Sequence, residues 1–526
     1  DMAHDLMEMH RLSNGVVTTY THIHEYLNAL VRKRGMVFDK NVNGNKVQSR
    51  WNTELRSAYY NSILSNIRTP VKANVSTNLI SLLRPYQAWL GAKLGGNTAE
   101  VAIAAAQIDS ISQAFAEGVQ MWKHNWDNGV RGKGQTYVGR FDYERDIANF
   151  KAMAPYMEQF GSPAEKAAYG VLDATVDFNS SPWMRYSQNM MGAGDAMART
   201  IIGRMEMRMR AARRGIDEGI DPNKLTEWAA KNEDEFRTSI FSKNKYNQWV
   251  VSDEAVRLAG DEATMTKALP EGLRMFEQVQ QFPLGRLFFP FVRTGYNAIR
   301  LSWAHTDLER VTGRFQDIME WNPSKGDSIP TKYGIDPANM PAEQALIRGR
   351  IAMGRTSMFL AATLAAGGLM TGDAPRDKET RDLWEANGIK PNSFKIGNLY
   401  VGYEHMEPFN TLWSATANLF NHADVLGEDM FDEYAEKLMW MATTVFIDKS
   451  MLSGVVDLAE MVQAEQGGGQ RIGRFLAKQT RNHLPWAGLL GGMGDMIDAN
   501  KRETVTWFQE FIRRDALVKS AVPLKY

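Results

Sequence analysis

Apolar residues recur at helical spacing along much of this chain. Between residues 98 and 122 they recur at steps of three and four, at Val101, Ala104, Ile108, Ile111, Phe115 and Trp122. Such spacing lines one face of a helix and predicts the seam of a helical bundle. Asn97 and Glu100 stand where a capping box would start that helix.

Residues 196–215 show a second amphipathic pattern. One arc carries Ile201, Ile202, Met205 and Met209, and the opposite arc carries Arg199, Arg210, Arg213 and Arg214. We predict a helix with an apolar core face and a solvated basic face, ending at Gly215. A helix that lies on a membrane surface or contacts phosphate is the alternative.

Alternating apolar and polar positions, which are typical of strands, are scarce. The best example places Phe394, Ile396, Leu399, Val401 and Tyr403 around Gly397-Asn398. A two-residue turn with Gly first favours a type II′ hairpin. We therefore predict an all-α fold, an elongated multi-helix bundle with one small β-hairpin at about residues 394–403.

Glycine, proline and charged residues interrupt the helical periodicity at four places. These are residues 132–134, 322–330, 371–380 and 466–470. We predict three regions, which are a helical region at 1–275, a hinge with apolar helices at 276–380, and the hairpin with C-terminal helices at 381–526.

The composition excludes several functional classes. With 61 basic and 61 acidic residues, the chain has no bulk positive field to draw it onto nucleic acid. Because it has no cysteine, it forms no disulfide, thiolate metal site or cysteine nucleophile. A mean hydropathy of −0.38 favours a protein that is soluble when made. Since the chain opens without an initiator methionine, we expect a processed product or a piece of a longer polypeptide.

Motifs for ligand binding and catalysis are incomplete. Residues 129–137, GVRGKGQTY, have Gln135 where a phosphate loop needs Ser or Thr to hold magnesium. His22 and His24 point to different faces of a predicted helix, so with His4 and His10 they do not predict a metal site. We expect no catalytic, cofactor-binding or metal-binding residue, and a protein that is not an enzyme.

Two fragments resemble pieces of lytic transglycosylases. Tyr296-Asn297-Ala298 is similar to their Tyr-Asn-Ala-Gly segment, and Gly368-Leu369-Met370 to their Gly-Leu-Met-Gln segment. The fragments occur in the wrong order, and no Glu-Ser pair precedes them to supply a general acid. A cell-wall glycan hydrolase is therefore an alternative function only.

Residues 356–372, TSMFLAATLAAGGLMTG, contain no charged residue. Their length of 17 residues is the shortest that can cross a bilayer as a helix. Their small residues at four-residue spacing would let helices approach closely in lipid or in a protein core. We predict a buried bundle helix, and a conditional membrane span is the alternative. The membrane candidates are Met358, Phe359, Leu360, Leu364 and Leu369.

Residues 281–301, QFPLGRLFFPFVRTGYNAIRL, combine aromatic residues with Pro283 and Pro290. Proline does not continue a helix interior, so we predict a hinge followed by a helix that restarts after Thr294. The segment would cap a bundle, with Arg293 paired to a carboxylate. The interface and packing candidates are Phe288, Phe289, Phe291, Arg293, Tyr296 and Trp303.

The end of this segment, PFVRTGYNAIRL, resembles the Pro-Phe-x-Arg-Thr-Pro-x-Asn segment of large internal virion proteins of short-tailed bacteriophages and of related large polyvalent phage proteins. Gly295 stands where that pattern has proline. Three more segments resemble the same family in the same order, at residues 74–91, 190–206 and 394–419.

The resemblance implies a structural protein of DNA ejection. Such a protein would be packed in the virion interior, assemble as a homo-oligomer with other ejection or portal proteins, and help deliver the genome through the host cell envelope at the periplasm or inner membrane. It would not bind nucleic acid sequence-specifically. Besides the glycan hydrolase, a peripheral membrane scaffold that uses the 199–214 arginines is the other alternative.

Overall fold

The chain folds almost entirely into helices in the part that the structure describes. This computed structural model describes Met7, His10, the strands Lys40–Val42 and Asn45–Val47, and residues 50–130, 150–151, 154–243, 249–275, 291–375 and 378–421. The predicted all-α class with a small β-hairpin is confirmed.

Helices of very different length make up these residues. They are α1 (Arg50–Ile63), α2 (Arg68–Leu94), α3 (Thr98–Asp109), α4 (Ile111–Val130), α5 (Ala154–Phe160), α6 (Pro163–Ser180), α7 (Pro182–Asp217), α8 (Leu225–Asn232), α9 (Arg237–Ile240), α10 (Glu254–Ala263), α11 (Val292–Trp303), α12 (Gly313–Met319), α13 (Ser328–Tyr333), α14 (Met340–Ala366), α15 (Lys378–Ala386) and α16 (Phe409–Asn421). Short 3-10 helices lie at Glu233–Phe236, Glu271–Leu273, Asp307–Val311, Pro323–Lys325 and Pro337–Asn339.

Three antiparallel two-stranded ladders accompany the described helices. They pair β1 (Lys40–Val42) with β2 (Asn45–Val47), β3 (Phe241–Lys243) with β4 (Trp249–Val251), and β5 (Ser393–Ile396) with β6 (Leu399–Gly402). The β5–β6 register pairs Ile396 with Leu399, which leaves Gly397-Asn398 as the turn. Gly397 has φ +61°, whereas Asn398 is not among the residues with positive φ, as a type II′ turn requires. The other two ladders were not predicted, because strands of three residues are too short to show alternation.

The described residues form two compact units. Unit 1 contains those up to Pro70 and those from Asn128 to Met190, and unit 2 contains those from Val71 to Asp127 and from Met191 onward. Each unit therefore combines segments that are distant in sequence, whereas the predicted regions 1–275, 276–380 and 381–526 are consecutive. That three-region division stays a prediction.

Unit 1 packs α1 against α6, with α5 beside α6. A buried amide fixes the first contact, since Asn179 Nδ2 donates to the Glu54 carbonyl oxygen at 3.0 Å and to Glu54 Oε2 at 2.9 Å. Arg50 Nη2 lies 2.9 Å from Glu54 Oε1. The apolar cluster of this unit is formed by Phe150, Met157, Tyr169, Leu172 and Val176.

Unit 2 has a core that links helices from all along its sequence. One apolar cluster joins α2, α7 and α11 through Ile80, Ile202, Met207, Ala298 and Leu301. A second joins α14 to α16 through Met358, Phe409, Leu412 and Ala415. A third packs the β5–β6 hairpin region on the same two helices through Ala361, Ala365, Met370, Tyr403 and Ala417.

The predicted helix beginning near Asn97 forms, but it divides at Ser110 into α3 and α4. Asn97 Oδ1 accepts from the Glu100 backbone N–H at 3.1 Å, as predicted for a cap. The capping box is only half formed, because the Glu100 carboxylate accepts from Arg213 Nη1 at 2.7 Å.

The predicted solvated basic face of α7 is wrong for most of its arginines. Arg199 is buried and paired with Asp261, and Arg210 lies 2.8 Å from Asp253. Arg214 keeps a half-exposed side chain. The helix also continues past Gly215 to Asp217, and Gly215 packs closely beside α8. Tertiary ion pairs therefore decide where these cations lie.

Candidate functional site

The predicted interface segment is described from Phe291 onward, and Phe288 and Phe289 lie outside the described residues. Phe291 is half-buried and immediately precedes α11, which starts two residues before Thr294. Tyr296 packs beside the cluster of Leu269 and Val292.

Two of the predicted interface residues on α11 face outward. Arg293 is exposed, and 37% of Trp303 is accessible. Arg300 of α11 pairs with the buried Glu309, with its Nη2 lying 2.8 Å from Glu309 Oε1. Asn297 Nδ2 donates to the carbonyl oxygens of Met265 at 3.2 Å and Lys267 at 2.8 Å. The Tyr296-Asn297-Ala298 fragment therefore has a packing role here.

The membrane candidates divide between core and surface. Met358 is buried among α16 residues, and Leu364 is half-buried. Phe359 is 75% exposed, and Leu360 and Leu369 are also exposed. Since α14 ends at Ala366, the 17 uncharged residues do not form one continuous helix. None of the described helices combines the length and apolarity needed to cross a bilayer.

A cluster of one buried and four half-buried charges lies where α2, α10, α12 and α14 meet. We call it the arginine–glutamate cluster, and its members are Arg84, Glu262, Arg314, Glu343 and Arg350. Arg350 binds Glu262 with both ends of its guanidinium, at 2.8 Å and 2.9 Å. Arg314 binds Glu343. Arg84 makes longer contacts, at 3.3 Å to Glu262 and 3.7 Å to Glu343.

The cations of this cluster keep its carboxylates ionised. Burial acts to raise the pKa of Glu262, but Arg350 and then Arg84 hold that pKa well below its ordinary value. The pKa of Glu343 is likewise lowered despite its burial, chiefly by Arg314. No sequence pattern predicted this cluster, because its members are spread over four helices without a common spacing.

A directional hydrogen-bond chain leads from the cluster to His305. Because the Leu301 carbonyl can only accept, His305 Nδ1 is the donor in their 2.8 Å contact. His305 Nε2 then accepts from Gln87 Nε2 at 2.9 Å, and Gln87 Oε1 accepts from Arg350 Nε at 3.4 Å. Burial lowers the pKa of His305 to about 4, and the charge of Arg350 acts in the same direction. His305 is therefore a neutral core residue near neutral pH.

A cavity of about 330 Å³ opens beside the arginine–glutamate cluster within unit 2. Its apolar lining residues include Ile202, Met205, Met209, Val256, Leu258 and Leu346. Its charged lining residues are Arg84, Glu206, Glu262, Lys267, Arg314, Asp336 and Glu343. Pockets of this size and mixed lining are typical of small-molecule sites.

Glu206 is the acidic residue of the cavity whose pKa moves upward. Burial raises the pKa of Glu206, while Arg210 acts in the opposite direction. Arg210 Nε lies 3.0 Å from Glu206 Oε1, and its Nη2 lies 2.8 Å from Asp253 Oδ2. Two carboxyl groups with opposite shifts, Glu206 and Glu262, thus line one cavity.

In the described part of the chain, no group of three or more acidic or histidine residues is placed to hold a metal ion. His10 is described, whereas His4, His22 and His24 lie outside the described residues. Comparisons of the chain with protein-family models, curated proteins and solved structures find no match. A functional proposal therefore depends on the sequence segments and on the geometry above.

Proposed function

We propose that this chain is a structural internal virion protein that assembles with other ejection proteins and helps deliver a phage genome through the host cell envelope. The observation that carries the proposal is the convergence of four segments in unit 2. They lie in α2, α7, α11 and the β5–β6 hairpin with α16, and they are the segments that resemble the ejection-protein family.

Direct contacts join these segments across long stretches of sequence. Ser76 Oγ in the first donates to the His405 carbonyl oxygen in the last at 2.9 Å. Ile80 shares an apolar cluster with Ile202 and Leu301, which belong to the second and third segments. Four matching segments that pack into one core support the family resemblance more strongly than four separate local matches, because residues packed against one another depend on each other.

The charge and the surface of the chain are compatible with this role. An equal number of basic and acidic residues would let the protein lie beside packaged DNA without binding it tightly. Exposed apolar side chains such as Trp303 and Phe359 offer contacts to other copies or to the envelope.

Quantitative mass spectrometry of a phage that carries the chain tests the proposal. Purified virions would be compared before and after genome ejection is triggered in vitro, with the major capsid protein as the constant reference. We expect the chain in filled particles and its loss from emptied ones. A chain that is absent from filled particles, or retained in emptied ones, contradicts the proposal.

One observation favours the glycan hydrolase as a second candidate. A glycosidic general acid needs a carboxyl group held in a cleft with a raised pKa, and Glu206 has both properties. If this candidate is correct, wild-type protein releases soluble fragments from purified peptidoglycan and Glu206→Gln does not. If the wild type releases no fragments, the glycan hydrolase candidate is excluded.

A further inference from the structure

The cavity of unit 2 has features that the ejection role does not use. Its apolar lining residues would accept a hydrocarbon chain, and its lining also includes Arg84, Glu262 and Glu343 of the arginine–glutamate cluster, which lie together. A molecule with an apolar body and one polar end matches such a lining.

Of the two arginines that line the cavity, Arg84 and Arg314, Arg84 has the weaker contacts. Glu262 already receives two short bonds from Arg350, and Glu343 receives one from Arg314. Arg84 contacts the same two carboxylates only at 3.3 Å and 3.7 Å. Its guanidinium, which carries five donors, can therefore bind a further acceptor without breaking a short ion pair.

Glu206 can offset the charge that such an acceptor brings. Charges are balanced in the cavity lining and in the ion pairs that continue from it, with six basic residues (Arg84, Arg210, Lys267, Arg300, Arg314 and Arg350) and six acidic residues (Glu206, Asp253, Glu262, Glu309, Asp336 and Glu343). An entering anion would leave one uncompensated buried charge, which is costly. Protonation of Glu206 removes that charge, and burial already favours the protonated form. Arg84 and Arg210 act against it, and Asp253 acts for it.

We propose that this cavity binds a small amphipathic monocarboxylate, with its carboxylate at Arg84 and Glu206 and its apolar chain along Ile202, Met205 and Leu346. As the ligand enters, Glu206 takes one proton from solvent and donates it in a hydrogen bond to the ligand. The ligand carboxylate also accepts from Arg84. This binding function goes beyond the ejection role and does not depend on it.

Isothermal titration of the full chain with octanoate tests the site. We expect saturable binding at one site between pH 6 and pH 8, with proton uptake that approaches one per ligand as the pH rises above the pKa of Glu206, shown by titration in buffers of different ionisation enthalpy. Because one proton is taken up, the dissociation constant should rise by up to about tenfold per pH unit above the pKa of Glu206. Glu206→Gln keeps a hydrogen-bond donor, so it should bind without proton uptake and with little dependence on pH.

Two variants, each with phenylalanine in place of an alanine, test whether octanoate binds in the cavity. Ala342→Phe places a ring in the cavity and should weaken octanoate binding roughly tenfold or more. Ala338→Phe is the matched control, because Ala338 is exposed and does not line the cavity. No saturable binding by the wild type, binding without proton uptake, or equal binding by Ala342→Phe and Ala338→Phe overturns the proposal. None of these outcomes bears on the virion experiment.

Discussion

Gly349 of α14 lies against the backbone of Gln87 of α2, so closely that a β-carbon on Gly349 would be 1.7 Å from the Gln87 carbonyl oxygen. The contact is reciprocal, since a β-carbon on Gly91 would be 1.7 Å from the Ala345 carbonyl oxygen. These two helices therefore cross with their backbones in contact, as glycine and alanine allow. The crossing also holds Gln87 beside Arg350 and His305.

Gly349→Ala should strongly destabilise the protein. A backbone oxygen cannot move away as the end of a flexible side chain can, so we expect a loss of about 3 kcal/mol or more in the free energy of unfolding. Urea denaturation measures it. Gly170→Ala is the control, because a β-carbon there meets no atom within 4 Å and alanine favours a helix. A Gly349→Ala protein as stable as Gly170→Ala would contradict the close crossing.

Glu262→Gln should also destabilise unit 2, because it leaves the buried Arg350 and the half-buried Arg84 beside a neutral group. Breaking one side of a buried pair costs about 3–5 kcal/mol. Glu254→Gln is the control, since the Glu254–Arg257 pair lies on the surface, and it should change little. The double variant Glu262→Leu, Arg350→Met should recover much of the loss. If Glu262→Gln is as stable as the control, the cluster is not energetically coupled.

Acid should weaken the fold through His305. Because its pKa is about 4 in the folded protein, against an unfolded value of 6.5, the unfolded chain binds the proton first as pH falls. The stability that comes from neutral His305 is complete above pH 6.5 and decreases as pH falls toward 4, by roughly 3 kcal/mol in all. Chemical denaturation between pH 7 and pH 4.5 measures this slope.

The variant His305→Gln isolates this effect, because glutamine does not titrate. We expect it to be less stable than the wild type at pH 7 and to lose less stability on acidification. The lowered pKa values of Glu262 and Glu343 act at lower pH, because a carboxylate loses its contribution only as pH falls through its folded pKa. An unchanged slope in His305→Gln would assign the acid sensitivity to other groups.

If the chain assembles as we propose, Trp303→Ser should lower the mass of the assembly in solution without unfolding the chain. The tryptophan is 37% exposed at the end of α11 and is large enough to anchor an interface. Sedimentation velocity measures the mass, and circular dichroism checks the fold. Val311→Ser is the control, because Val311 is more exposed but is not an interface candidate. If Trp303→Ser and Val311→Ser have equal masses in solution, Trp303 does not contribute to the assembly interface.

The double variant Phe359→Ser, Leu360→Ser tests the membrane proposal. If this exposed pair contacts the envelope, the wild type floats with liposomes at high salt and the variant does not, because apolar insertion resists screening. Leu383→Ser, on the exposed surface of α15, is the control. Absence of flotation by the wild type, with a discrete multimer in solution, would place these residues outside any membrane contact.

Local chemistry explains which parts of the fold the sequence predicts. The β5–β6 hairpin follows from Gly397 at the one position of the turn that needs positive φ. The start of α3 follows from the Asn97 cap. In contrast, Arg199 and Arg213 lie where a helical wheel predicts solvent, and their position depends on Asp261 and Glu100 from other helices.

The sequence by itself determined the helical class, the type II′ hairpin and the absence of cysteine chemistry, because backbone periodicity, turn residues and composition are local properties. Only the tertiary structure decided that α2 and α14 cross at glycines and that Arg84, Glu206 and Glu262 line one cavity. Those residues come from helices far apart in the chain. No local spacing encodes their meeting, because long-range packing and the pairing of buried charges bring them together.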